Sequence, residues 1–320
     1  MLNLLRAGTA LACGLLPLAA QAQTKEILEF TSPSRNGPVT VKADLFLPEG
    51  VSGRMPAMVI HHGSGGVSNT REYAYAREFT KMGVASIIPD SFTPRGVKST
   101  VSDQAAVHAN EMIADAFAAL KLAAAHPRID PARIGITGFS KGGSVAMRTA
   151  LQLMVNRHAK DGPRFALHVA FYPGCDSHYL DRRTTGAPLL VLLGGADTYT
   201  GTERCMTIVN DLKAAGASNV EAGIYPKGQH GWDGTGRAWT VASGENSRHC
   251  FYVEQPDRSW IEQTSGIATI GRDGRAIEGA SQKAQAICHT LGVSGGPDTE
   301  TAALSLEALK AAMRAAFGVK

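Results

Sequence analysis

Neither sign of charge dominates this sequence. Its 320 residues carry 32 Lys and Arg against 28 Asp and Glu, a net charge of +4, and charged residues make up only 19%. No basic run stands out, which argues against a protein that binds phosphate backbones through clustered cations. Closely spaced cysteine pairs are missing, so a structural zinc site is not expected. Internal repeats and low-complexity tracts are absent too. Beyond the N-terminus no apolar run is long enough to span a bilayer. No strand-linked G-x-G-x-x-G with its downstream acid is present, which removes a dinucleotide-binding enzyme; Gly63 to Gly66 matches only in part.

What remains is a solvated globular enzyme or binding protein. Hydrophobic residues reach 44% and glycines number 35, too apolar a composition for a disordered chain. The length allows one large α/β domain or two smaller ones. Met1 to Ala22 reads as a secretory signal peptide: Arg6, an apolar stretch from Ala7 to Ala19, then Ala20-Gln21-Ala22 as an A-x-A cleavage site. Removal near Ala22 would deliver the chain to the periplasm or the exterior, with no membrane span in the mature form. It would also remove Cys13 and leave Cys175, Cys205, Cys250 and Cys288. An even count in an oxidising compartment suggests two disulfides, and four cysteines allow three connectivities. Sequential pairing, Cys175 with Cys205 and Cys250 with Cys288, is the expectation.

Short apolar strands alternate with helical patterns along the chain. Strands are expected over Glu26 to Phe30, Val39 to Leu47, Pro56 to His61, Val84 to Ile88, Ile134 to Thr137, Phe165 to Tyr172, Leu189 to Leu193 and Val220 to Tyr225. Continuous apolar runs such as PAMVIH fit strands buried on both faces. Helices are expected over Tyr73 to Met82, Ser102 to Ala125 with Ser102 as N-cap, Lys141 to Leu153, Cys205 to Ala214 and Thr301 to Phe317. This alternation predicts a mostly parallel sheet with helices on both faces. The stretch from about 233 to 298 is polar, glycine-rich and weakly periodic. It reads as an irregular insertion stapled by one cysteine pair within a single domain spanning 23–320.

The sharpest motif is Gly138-Phe139-Ser140-Lys141-Gly142-Gly143, between a strand and a helix. G-x-S-x-G in that setting is a nucleophile elbow, a tight turn that lifts a serine hydroxyl out of the sheet. His61-His62-Gly63-Ser64-Gly65-Gly66 ends an earlier strand, where such hydrolases place a second oxyanion donor. Developing negative charge needs two fixed N–H donors, and the backbone groups of Ser64 and Lys141 are assigned to it. The two histidines alternate faces, so they read as packing and loop-shaping groups rather than joint metal ligands. Asp197 follows the strand Leu189 to Leu193, and His230 follows Val220 to Tyr225. Ser140, Asp197 and His230 thus stand in the order nucleophile, acid, base at one edge of a parallel sheet. Asp233 is the nearest other carboxylate.

With these residues in view, the chain resembles the dienelactone hydrolase family of α/β-hydrolases. The resemblance runs from Val39 to about Trp232. It is carried by the elbow, Asp90-Ser91-Phe92-Thr93-Pro94-Arg95, Phe171-Tyr172-Pro173-Gly174, Gly195-Ala196-Asp197 and Gln229-His230-Gly231. It implies an α/β-hydrolase fold and hydrolysis of small-molecule esters or lactones without a cofactor. The family's best-known members use cysteine as nucleophile where this chain has Ser140, which weakens the lactone reading more than the ester one. The resemblance also implies that Arg95 helps hold a substrate carboxylate, with Arg237 as a looser second arginine; Trp232 is grouped with them as substrate-binding. Two rivals stand beside this reading. One is a serine peptidase or amidase of the prolyl-oligopeptidase type, which usually carries a large propeller domain. The other is a non-catalytic binding protein on the same fold.

Overall fold

The structure, a computed structural model, describes residues 23–320, so the expected signal peptide lies outside the described residues. Two N-terminal strands, β1 (Gln23–Ser32) and β2 (Val39–Pro48), pair antiparallel. Then come β3 (Met55–His61), α1 (Glu72–Lys81), β4 (Ala85–Pro89), α2 (Ala109–Ala125), β5 (Ile129–Phe139), α3 (Lys141–Thr149) and α4 (Gln152–His158). The chain continues through β6 (Leu167–Phe171), the short β7 (Ser177–His178), β8 (Leu189–Gly194), α5 (Glu203–Ala214) and β9 (Val220–Tyr225). The main sheet has the order β1-β2-β4-β3-β5-β6-β8-β9, antiparallel at β1, β2 and β4 and parallel from β4 onward.

Every residue of β3, β4 and β6 is buried, as strands covered on both faces must be. On one face Val59, Ile87, Ile136 and Leu193 pack with Ile113 and Leu120 of α2, Val145 of α3 and Val209 of α5. On the other, Met58, Ile60, Phe139 and Phe171 pack with Phe79 of α1 and with Leu309, Met313 and Phe317. These last three belong to the closing helix, Thr299–Phe317. Burying such side chains contributes about 1.5–3 kcal/mol each, which is what holds the layers together.

Two helices depart from expectation. The helix expected from Ser102 starts at Ala109, after His108, whose backbone N–H donates to Glu111 Oε2 at 2.9 Å. Ser102 does not cap it; its hydroxyl pairs with Ser243 Oγ at 3.0 Å. The helix expected over Lys141 to Leu153 breaks at Ala150 and Leu151, where the backbone of Gln152 donates to Arg183 O at 2.8 Å.

Half of the stretch expected to be irregular lies in strands and a helix. It contains β10 (Trp239–Asn246), β11 (Tyr252–Glu254), β12 (Trp260–Glu262), β13 (Ile267–Ile270), α6 (Ala280–Cys288) and β14 (Thr290–Gly295), before the closing helix α7. Strands β10 and β14 pair antiparallel, while β13, β12 and β11 form a small sheet that β7 completes. Most of these strands are three or four residues long, too short for a periodic signal. The cysteines pair as Cys175–Cys205 and Cys250–Cys288, the sequential connectivity. Among the described residues no helix is long and apolar enough to cross a membrane.

Candidate active site

Ser140 sits between β5 and α3 with φ 54° and ψ −116°, a backbone conformation that L-residues adopt only under constraint. Its neighbours explain the glycines. A Cβ on Gly138 would stand 2.1 Å from Gly142 O, and one on Gly142 would stand 2.3 Å from His61 O. No side chain fits at either position. The turn is tied to the sheet by the Ser140 N–H, which donates to Phe171 O at 2.9 Å.

Asp197 lies three residues past β8 and His230 five past β9. Ser140 Oγ and His230 Nε2 are 2.9 Å apart, and His230 Nδ1 is 2.8 Å from Asp197 Oδ2. The two Asp197 oxygens also accept from the backbone of Tyr199 and Thr200 and from the Thr200 hydroxyl, at 2.7–2.9 Å. Burial alone would raise its carboxyl. The neighbouring His230 and these hydrogen bonds overcome that and lower it to about 2, so the group is ionised. The imidazole is packed between the rings of Tyr172 and Tyr199, with centroids 4.8 and 4.5 Å away.

The glycine-rich loop after β3 lies against the elbow: a Cβ on Gly63 would be 3.4 Å from Ser140 Cβ. His62 Nδ1 meets Gly63 O at 2.9 Å and its Nε2 accepts from the Ser91 N–H at 3.2 Å. That pattern requires a neutral ring protonated at Nδ1, in line with a pKa lowered by burial. His61, fully buried, is lowered to about 3 chiefly by the same cause. The backbone N–H groups of Ser64 and Lys141 have no acceptor among the described residues. Ser64 is braced from behind. Its carbonyl accepts from Thr100 N and Ser99 Oγ at 2.8 and 3.1 Å, and its hydroxyl donates to Gln104 Oε1 at 3.0 Å. Gln104 Nε2 donates in turn to the Tyr199 hydroxyl at 3.0 Å. Lys141 Nζ donates to Gln104 O at 2.8 Å and Thr100 Oγ1 at 3.1 Å, and burial lowers its ammonium to about 8.

Three expected substrate contacts do not hold. Arg95 is not open to a ligand: its side chain is 3% exposed and grips Asp115 through two hydrogen bonds of 2.8 and 3.0 Å. It also donates to Ser91 O and Pro33 O, so its fork is consumed in tying the chain after β4 to α2. Trp232 is fully buried, with Nε1 donating to Ser305 Oγ of α7 at 2.9 Å; it is core. Arg237 is exposed and does not line the cleft at Ser140. Asp233, the other carboxylate near His230, accepts from the Tyr172 hydroxyl and faces Arg71 Nε at 3.4 Å.

Gln104, Tyr199 and Tyr172 carried no sequence signal of their own as site residues. Only Tyr172 lay in a recognisable segment. Cys250, Cys288 and His289 bring three potential metal-ligand atoms within 4.8 Å of one another. The two sulfurs are bonded to each other, so they do not serve as thiolate ligands. Ser140 opens onto a cleft of about 1180 Å³.

The dienelactone hydrolase family matches residues 41–250, well over half the chain. The chain belongs to this family. As a dienelactone hydrolase family member it is a carboxylic ester hydrolase on an α/β-hydrolase fold. Among solved structures, the apo form of esterase 2 from Thermogutta terrifontis is 20% identical. The match covers 66% of this chain and 86% of that one, with a TM-score of 0.51. A dienelactone hydrolase-like promiscuous phosphotriesterase, P91 from metagenomic libraries, is 16% identical. It covers 92% of this chain and 99% of its own, with a TM-score of 0.55. At these identities the likeness is one of fold. No curated protein matches the chain.

Proposed function

We propose that this ester hydrolase works through a covalent acyl-enzyme on Ser140. The observation that carries the reading is the continuous chain Ser140–His230–Asp197, at 2.9 and 2.8 Å, beneath a strained elbow. His230 Nε2 takes the hydroxyl proton as Oγ attacks the ester carbonyl carbon. The carbonyl oxygen becomes an oxyanion that accepts hydrogen bonds from the backbone N–H groups of Ser64 and Lys141. Collapse of the tetrahedral intermediate breaks the bond to the alkoxide, which leaves with the proton from His230. A water then repeats the sequence on the acyl-enzyme, releasing the acid and restoring Ser140. Asp197 holds the imidazole in the Nδ1–H tautomer and stabilises its charged form. The two disulfides support a protein working in an exported, oxidising compartment.

The test is reaction with a fluorophosphonate probe followed by peptide mapping. The adduct is expected on Ser140, and none is expected with Ser140→Ala. Ester hydrolysis that persists in a folded Ser140→Ala protein would refute the assignment. So would an unlabelled wild-type enzyme.

A further inference from the structure

The cleft is far larger than a short-chain ester needs. Drug-sized ligands fill roughly 300–1,000 Å³, and this space of about 1180 Å³ runs from Ser140 to residues near position 289. Its far wall is made by chain mostly beyond the family match, which ends at residue 250. That wall is anchored to the site at several points. Glu245 Oε2 accepts from the Gln104 backbone N–H at 2.6 Å, and Asn246 Nδ2 donates to Thr198 O at 3.1 Å. At the other end the Gly296 N–H donates to His230 O at 3.0 Å. Strand β7, which follows the elbow-side loop at Gly174, completes the small sheet. The segment is therefore built onto the catalytic loops at both its ends.

Near Ser140 the polar groups of Ser64, Gln104, Tyr199 and Lys141 are joined to one another by hydrogen bonds, and Arg35, His108 and Glu111 also line the cleft. Elsewhere the lining includes Tyr179, Tyr252 and Trp260, and the rings of Tyr179 and Trp260 meet edge-on at 5.0 Å. Gln285, Ser281 and Asp273 line the same cleft. Six cationic and six anionic side chains line the whole; among them Arg148 pairs with Asp176, and Arg258 with Glu254 at 3.4 Å. The charges of the lining balance, and its polar groups would disfavour a fatty chain. Flat amphipathic rings and hydrogen-bonding groups lining one cleft suit a ligand with apolar ring faces and a rim of hydroxyls.

We infer that the 239–295 segment builds a binding subsite for the alcohol portion of the substrate. That portion is an uncharged, hydroxyl-rich, ring-built alcohol, so the substrate class is an acyl ester of an oligosaccharide. This rests on the reading of Ser140 as nucleophile.

The experiment compares the full-length mature protein on acetylated xylotetraose, methyl acetate and 4-nitrophenyl palmitate, and measures binding of acetylated xylotetraose to Ser140→Ala by calorimetry. The oligosaccharide ester is expected to exceed methyl acetate at least tenfold in kcat/KM. Trp260→Ala is expected to cut that ratio about tenfold, and Gln285→Ala severalfold while leaving Tm in place. A ratio near one, a preference for the palmitate, or a ratio unchanged in both variants would overturn the subsite. Saturable binding to Ser140→Ala without turnover by the wild type would uphold the subsite and refute the nucleophile. Turnover of methyl acetate without oligosaccharide binding would do the reverse.

Discussion

Ser140 and Asp197 stand within a few residues of the ends of largely buried parallel strands and His230 of the half-exposed edge strand β9, whereas the 239–295 segment reaches the same cleft on strands mostly three or four residues long. The first group is fixed by the large sheet, whose strands carry both cores and cannot shift without moving them. The second is fixed by local devices: the Cys250–Cys288 bridge, the β10–β14 pair and hydrogen bonds to Gln104 and Thr198. On the proposed mechanism, chemistry falls to the rigid scaffold and the shape of the cleft to the added segment. It also predicts that damage to the two regions will register in different measurements.

The largest effect is expected at the scaffold. Asp197→Asn preserves size but offers His230 Nδ1 the wrong partner, and turnover should fall on the order of 10⁴ while the fold survives. Steady-state kinetics beside circular dichroism check this. An unchanged rate would move the orienting role to another carboxylate. Asp233 is poorly placed to take it, since it already holds Tyr172 and Arg71.

Arg95→Ala should be felt in stability rather than in substrate affinity. Removing the guanidinium strands the fully buried Asp115 without its partner, a loss of about 3–5 kcal/mol. Denaturant unfolding is the measurement, and KM for acidic and neutral esters should change alike. A selective rise in KM for the acidic ester would restore the carboxylate-binding role implied by the family resemblance.

Reducing the added segment should cost less and elsewhere. The Cys250→Ser/Cys288→Ser variant frees a loop of 38 residues, which lowers stability by roughly 2–4 kcal/mol on chain-entropy grounds. Limited proteolysis should then cut first between β10 and β14, with the main sheet intact. Cleavage that begins in the main sheet instead would mean that the two regions unfold together.

The same contrast explains what the sequence alone disclosed. Strands such as Met55–His61 are continuous apolar runs because both faces are buried, so they are visible as such, and the elbow glycines are dictated by backbone contact distances. Ser140 and Asp197 follow strands of that kind, while His230 follows the half-exposed edge strand Val220–Tyr225. Arg95 misled because position after a strand says where a residue begins, not which way its side chain turns; Asp115, 20 residues on, decided that. Ser102 looked like a helix cap, but its hydroxyl is taken by Ser243, a partner 141 residues away. Gln104 was invisible for a like reason. Its importance lies in simultaneous bonds to Ser64, Tyr199, Lys141 and Glu245, all of them distant in sequence.

The smallest expected effect tests whether the two regions are coupled at all. Glu245 of β10 accepts from the Gln104 backbone N–H at 2.6 Å, while its own N–H donates to Val101 O at 2.8 Å. Gln104 in turn holds the hydroxyls of Ser64 and Tyr199, so a change at Glu245 has a short route to the proposed oxyanion donor and to the ring packed on His230. A hydrogen bond to a charged acceptor contributes about 1.5–3 kcal/mol. Because Glu245 is half-buried, water can replace part of that in Glu245→Ala. A fall of about tenfold in kcat on methyl acetate is therefore expected, corresponding to about 1.4 kcal/mol. Glu245→Gln keeps an acceptor at the same place and should recover most of the rate. If Glu245→Ala lowers only kcat/KM for long esters, the added segment is a wall and nothing more. If it lowers kcat on methyl acetate and Glu245→Gln rescues it, the segment also steadies the loop that carries Ser64.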